Sequence, residues 1–163
     1  MFCSECGEKL TLMLCGAEGL IPYCKNCNKY RFPQFATAVS MVVTNRTKDK
    51  VLLAKHKGKD GFVLIAGYIK KGETAEKAVV REFKEETKLD TVKFRYNSSK
   101  YFEPNNVLML NFISMAEDGE IVPDTRELEE VKWFSPDEAL EIIDKETTAY
   151  SFLKNALPEL KKL

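Results

Sequence analysis

From residue 36 onward the apolar positions alternate between two periods. ATAVSMVVT (36–44) and VLLAKH (51–56) are rich in β-branched and aliphatic residues, with a polar turn from Asn45 to Lys50 between them, and read as a hairpin. FVLIAGYI (62–69) reads as a buried strand that runs into Gly67. Thr74 to Lys88 switches to a helical period. Strands are expected again over Val92–Phe102 and Val107–Ala116, separated by Pro104-Asn105-Asn106, and over Glu130–Phe134. Ser135-Pro136-Asp137-Glu138 has the signature of a capped helix start: Ser at N-cap, Pro at N1, Glu at the capping-box position. Thr148–Leu157 reads as a closing helix. The elements do not follow a regular βαβ alternation, so the pattern points to α+β, or an αβα sandwich, rather than a doubly wound sheet.

Residues 1–31 differ. They hold few large apolar side chains (Leu10, Leu12, Leu14, Leu20, Ile21), too few to fold without a staple. Cys3-x2-Cys6 and Cys24-x2-Cys27 are 17 residues apart, which fits the two-knuckle spacing of a tetrahedral four-sulfur zinc site. Two disulfides are the alternative, disfavoured in a reducing compartment. Cys15 is left over and reads as a small apolar residue. The expected organisation is a zinc ribbon at 1–31, a linker Arg31-Phe32-Pro33-Gln34, and a second domain over 35–163.

The helical stretch carries an anomaly. Ala75, Val79 and Phe83 form one stripe with Ala78 beside it, and Lys77, Arg81, Lys84 and Lys88 take roughly the opposite side. Glu82, Glu85 and Glu86 fall against the apolar stripe instead of with the lysines, contrary to an ordinary amphipathic helix. Acids at i, i+3 and i+4 repel, and partial burial adds to the cost. A hard cation, Mg²⁺ or Mn²⁺, would relieve both. A solvated acidic edge paired with lysines is the other reading. Glu73 and Arg81 have the chemistry of a bidentate ion pair that would pin the loop from Gly67 to Gly72. Gly67 would allow close backbone approach, its carbonyl being a further candidate ligand.

With 25 basic and 25 acidic side chains in 163 residues the formal charge is zero, which argues against a globally basic nucleic-acid binder. No apolar run approaches the roughly 20 residues that span a bilayer, and the N-terminus lacks a secretory pattern. The expectation is a cytoplasmic protein.

Gly67, Glu73 and Arg81-Glu82-Phe83-Lys84-Glu85-Glu86 with Leu89 resemble the Nudix box, G-x5-E-x7-R-E-U-x-E-E-x-G-U. Lys88 stands where the box has its second glycine. A four-Cys ribbon before such a domain, with YRFPQFATAVSMVV, LLAKHKGKDG, LIAGYIKKGET and ELEEVKWFSPDEA, resembles the NADH pyrophosphatase branch. The branch's S-Q-P-W-P-F-P signature is largely replaced: Ser99-Lys100-Tyr101-Phe102-Glu103-Pro104-Asn105 keeps Ser99 and, at the Trp position, the aromatic Phe102.

The resemblance implies a Nudix αβα sandwich behind a zinc ribbon, and metal-dependent hydrolysis of a nucleoside diphosphate linked to another group, with NAD(H) or ADP-ribose types first. Nucleoside triphosphates, sugar nucleotides or a capped RNA end are alternatives. It implies Glu82, Glu85, Glu86 and Glu130 as catalytic Mg²⁺ or Mn²⁺ ligands with Gly67, Glu73 and Arg81 as support for the box, and Zn²⁺ on Cys3, Cys6, Cys24 and Cys27. Ser99, Tyr101 and Phe102 are candidate substrate contacts; for the two aromatics, stacking on a ring competes with core packing or a homodimer seam. His56 reads as a loop or surface residue. Lys70, Lys71 and Lys100 read as surface charges that could reach phosphates. The competing class is a nucleotide sensor or RNA-binding regulator without turnover.

Overall fold

The computed structural model describes residues 1–163, which divide into two compact units, Met1–Phe35 and Ala36–Leu163.

The first unit is a small antiparallel sheet of β1 (Thr11–Leu14), β2 (Leu20–Cys24) and β3 (Lys29–Tyr30). The chain turns tightly after Cys3, where the Cys3 N–H donates to Glu8 O (2.8 Å) and Gly7 N–H to Cys3 O (2.9 Å). Leu12, Leu14 and Leu20 are exposed, and the only buried side chains of this unit are Cys3 and Cys24. Arg31, expected in the linker, belongs to the unit: its N–H donates to Pro22 O (2.7 Å) and its guanidinium to the Cys3 sulfur.

The second unit is built on a mixed six-stranded sheet. Its strands are β4 (Ala36–Thr44), β5 (Val51–His56), β6 (Ile65–Tyr68), β7 (Thr91–Phe102), β8 (Val107–Ala116) and β9 (Leu128–Phe134). The order is β7-β8-β4-β5-β9, with β6 pairing β4 antiparallel. The expected β4–β5 hairpin pairs only at Val43–Leu52 and Thr44–Val51. The rest of β4 takes β6 on one side and β8, in parallel, on the other, while β5 runs off to pair β9. The 62–69 strand is likewise shorter than its apolar run: Val63 makes an isolated bridge to Ala54, and β6 starts at Ile65.

Strand alternation sorts the core. Val39, Met41 and Val43 of β4 face helix α1 (Ala75–Thr87) through Ala78, Val79 and Phe83. Val42, Val51, Leu53 and Ile113 face α2 (Pro136–Ile142) and α3 (Thr148–Ala156) through Ala139, Phe152 and Leu153. The architecture is therefore the expected α/β/α sandwich. Thr74 caps α1 by accepting from Lys77 N–H, and Ser135 and Glu138 form the expected capping box on α2. At the other end of α1, Lys88 adopts the left-handed conformation (φ 65°) and donates its N–H to Lys84 O. That conformation is what a glycine supplies cheaply at a helix C-terminus; here a lysine adopts it and the turn is kept.

Candidate active site

Helix α1 enters from the loop after β6, and one ion-pair hub ties the two together. Arg81 donates to both oxygens of Glu73, from Nε (2.7 Å) and Nη2 (2.7 Å), and from Nη2 to Tyr68 O (3.1 Å). Glu73 also accepts from Lys70 N–H (2.9 Å). The remaining guanidinium nitrogen, Nη1, reaches Glu82 Oε1 (2.5 Å) and Glu85 Oε2 (3.1 Å). Only the fork of an arginine has the donors for all of these contacts, so that one planar cation closes the loop and touches two of the three clustered acids. The arginine hydrogen bonds hold the Glu73 carboxyl down at about 2, with the Lys70 N–H adding to the effect.

Gly67 has a steric reason to be glycine. A Cβ at this position would lie 2.0 Å from Glu82 Cδ, so the strand leaves the room that the Glu82 carboxylate fills.

Glu86 is the least comfortable of the acids. It is only 6% exposed, and its Oε2 has no hydrogen-bond partner. Burial, then the nearby charges of Glu82, Glu127, Asp124 and Glu85, push its carboxyl up to about 8. An orphaned buried oxygen among four further carboxylates is what a divalent cation would satisfy, and an all-oxygen donor set is the hard type that Mg²⁺ and Mn²⁺ take.

Glu82, Glu85 and Glu127 open onto a cleft of about 740 Å³ whose walls also include Gly67, Lys70 and Phe102. Lys70 Nζ lies 3.7 Å from Glu85. His56, read from sequence as a surface or loop residue, lines this cleft too. Of the signature residues, Phe102 and Asn105 line it, whereas Ser99 and Tyr101 lie outside its walls.

Glu130 lies elsewhere. On β9, Val131 and Trp133 pack with the α1-side core, so Glu130, one residue away, points to the opposite face of the sheet, exposed and opposite Lys55. The glutamate that lines the cleft from this segment is Glu127, just before β9, whose carbonyl accepts from Lys57 N–H (3.0 Å). A register shift between Lys55 and His56 separates the two positions. Asp124 joins the neighbourhood because its N–H donates to Glu86 O (3.2 Å). The acidic ELEE run is the sequence signal for this segment; the bulge that selects among its glutamates is not written in the alternation.

The four cysteines of the first unit converge. Their sulfurs all lie within 4.8 Å of one another, and Cys3–Cys27 and Cys6–Cys24 are 3.9 and 3.5 Å apart. Sulfurs bound at ~2.3 Å to one tetrahedral zinc sit about 3.8 Å apart. None of the five cysteines is disulfide-bonded, and Cys15 is half-buried. Two thiols of the cluster are pulled in opposite directions. Cys3 is lowered to about 6, its backbone and Arg31 hydrogen bonds outweighing burial. Cys27 is raised to about 12, by its contact with Cys6 and by burial. Four thiolates this close would repel one another unless a cation stood among them.

The NUDIX domain profile matches residues 34–158. The chain is 34% identical over 163 residues to a protein of Photobacterium profundum named NAD-capped RNA hydrolase NudC, covering 98% of this chain and 59% of that protein. A Vibrio vulnificus protein of the same name is 30% identical over 162 residues, with 98% and 60% covered. The chain thus spans about three fifths of the length of these curated relatives. Among solved structures, a NUDIX hydrolase from Nitrosomonas europaea superposes with a TM-score of 0.70 at 22% identity, over 97% of this chain and 90% of that one. The NUDIX domain of Shewanella oneidensis NrtR, complexed with ADP ribose, gives 0.62 at 16%, over 86% and 92%.

Proposed function

The chain belongs to the NUDIX domain family, and from that membership we propose that it is a divalent-metal-dependent pyrophosphohydrolase. Its substrate is a dinucleotide of the NAD(H) or ADP-ribose type, which it splits at the pyrophosphate. The observation that carries this reading is the buried Glu86 carboxylate, its Oε2 without a partner, set behind Glu82, Glu85 and Glu127, which line an open cleft. The relatives' printed name makes an NAD-capped RNA end a second substrate of the same chemistry.

Glu82, Glu85 and Glu86 would hold Mg²⁺ or Mn²⁺, with Glu127 in place of Glu130 as the added ligand. The ion, when bound, neutralises phosphate charge and acidifies a water. The chain's own residues do the rest. Glu73 and Arg81 hold the loop against the helix, so that Gly67 keeps room for Glu82. Lys70, at the rim beside Glu85, is placed to meet a phosphate. Phe102 offers an aromatic wall for a ring. A carboxylate of the acidic set accepts the proton of the attacking water. In the first unit, Cys3, Cys6, Cys24 and Cys27 hold Zn²⁺ in a structural role, with their thiols kept reduced in the cytoplasm.

A second reading has one observation in its favour, the similarity to the ADP-ribose-bound NrtR domain. It makes the cleft a nucleotide sensor without turnover. Incubation with Mg²⁺ or Mn²⁺ and a panel of NADH, NAD⁺, ADP-ribose, diadenosine polyphosphates and nucleoside triphosphates separates the two. The expected result is mononucleotide products from NADH, NAD⁺ or ADP-ribose. Absence of cleavage across the panel with either ion overturns the enzyme reading.

A further inference from the structure

Behind the cleft lies a second recess of about 350 Å³, on the α3 side of the sheet. It shares His56, Ala66, Phe102, Met109 and Thr148 with the cleft, so the two are continuous. Val63, Leu64 and Phe152 make much of its wall apolar. Ser40, on β4, contributes a hydroxyl to it.

That hydroxyl ends a buried chain of hydrogen bonds. Asn97 donates from Nδ2 to Phe152 O on α3 (3.2 Å) and to Asn111 Oδ1 on β8 (2.9 Å). Asn111 donates from Nδ2 to Ser40 Oγ (2.7 Å). Sheet register makes this possible. Ser40 and Asn111 are direct neighbours across β4 and β8. Asn97 is the extra residue where the β7–β8 register shifts between Tyr96 and Ser98, and a bulge of this kind re-aims a side chain.

The direction of the chain is fixed at its far end. A backbone carbonyl only accepts, so Phe152 O obliges Asn97 to present its nitrogen. The second proton of that nitrogen obliges Asn111 to present its oxygen, and so Asn111 shows its nitrogen to Ser40. Turning either amide over would set donor against donor or acceptor against acceptor. Ser40 Oγ therefore accepts from within the core, and no protein acceptor takes its own proton. Ser40 and Asn111 are both essentially buried, where an unused donor is costly.

We propose that Ser40 is a specificity-determining residue: a donor of locked direction, backed by Asn111 and Asn97, that reads an acceptor on a planar heterocycle seated in the recess beside Phe102. The proposal rests on the dinucleotide-hydrolase reading, whose substrates carry such a ring at one or both ends. The acceptor belongs either to the nicotinamide carboxamide or to an adenine ring nitrogen.

The test is direct binding of nicotinamide mononucleotide and of AMP, neither of which has a pyrophosphate to cleave. Each is titrated into the wild type, Ser40→Ala and Ser40→Thr, with the melting temperature of each variant recorded. Ser40→Ala is expected to weaken one nucleotide about fivefold to tenfold, as for loss of one neutral hydrogen bond, and to leave the other unchanged. Ser40→Thr, which keeps the hydroxyl, restores it. Whichever nucleotide weakens identifies the ring in the recess. Equal affinities in wild type and Ser40→Ala, an equal loss for both nucleotides, or no binding of either to the wild type would overturn the proposal. Failure of the hydrolase reading is a different result: nucleotides that bind, with no dinucleotide cleaved.

Discussion

The two units reach a folded state by different means. Ala36–Leu163 buries two apolar clusters, one on each face of its sheet, and its acids sit at the edge of one of them. Met1–Phe35 contributes to neither cluster; Leu12, Leu14 and Leu20 face solvent, and the residues it does bury are Cys3 and Cys24. On the proposed zinc reading, the sulfur cluster does for the first unit what apolar packing does for the second. The oxygen cluster has no such duty. It lies at the edge of a packed apolar core, with a buried partnerless carboxylate and an arginine pressed against two acids. On the proposed reading one cluster serves folding and the other chemistry, the sulfurs suiting zinc and the oxygens magnesium or manganese.

The strongest way to break this comparison is to empty the sulfur cluster. Structural zinc contributes on the order of 10–16 kcal/mol in small zinc-dependent peptides. Cys24→Ser should therefore unfold residues 1–35, seen as rapid amide exchange and proteolysis confined to them. Residues 36–163 should stay protected and the rate of hydrolysis should persist. Lost turnover in a zinc-free protein with both units folded would contradict the division of duties.

Emptying the oxygen cluster should do the reverse. Glu85→Gln with Glu86→Gln should lower turnover by about 10³-fold or more, the scale of general-base and metal-ligand loss. The melting temperature should hold or rise, because a glutamine can be buried without the proton uptake that burial forces on Glu86.

The pH dependence sharpens the point. In the folded protein without added magnesium or manganese, Glu86 titrates at about 8, against an ordinary value of 4.5. Between those values the folded state keeps a proton that the unfolded state has lost. Stability therefore falls as pH rises from about 4.5 to about 8, by on the order of 5 kcal/mol. Urea unfolding across that range should show the slope in the wild type, and Glu86→Gln should flatten it. A slope of opposite sign would place the strain elsewhere.

The smallest effect concerns the turn that closes α1. Lys88→Gly should stabilise the second unit by about 1 kcal/mol, by removing a left-handed lysine. A loss of stability would mean that the Lys88 Nζ bond to Glu85 O (2.9 Å) matters more than the backbone.

What the sequence disclosed follows the range of its signals. Helix α1, its acids on the inner edge, the Glu73–Arg81 pair and the capping box of α2 depend on residues a few positions apart, and spacing encodes such contacts directly. The four cysteines are separated further, but a tetrahedral site restricts their spacing enough to be read. Glu127, Glu130 and His56 were not legible, because which of them faces the cleft depends on a register shift between β5 and β9. The Ser40–Asn111–Asn97 chain was equally hidden. It requires β4 and β8 to pair in parallel across 71 residues, and a bulge in β7. The hairpin expectation failed in most of its length for a related reason: β4 is central, β8 fills one of its edges throughout, and β6 takes the other from Ala38 to Met41, which leaves β5 only Val43 and Thr44.

The most direct test of two clusters with two duties is a metal count on one preparation. Bound zinc is measured by elemental analysis, and bound manganese by the loss of the free Mn²⁺ paramagnetic signal, for wild type and Glu86→Gln. The account predicts about one zinc per chain retained by both proteins, with manganese bound by the wild type and weakened at least tenfold in Glu86→Gln. Equal manganese binding by the two proteins, or a protein fully folded over residues 1–35 with no zinc, would contradict it.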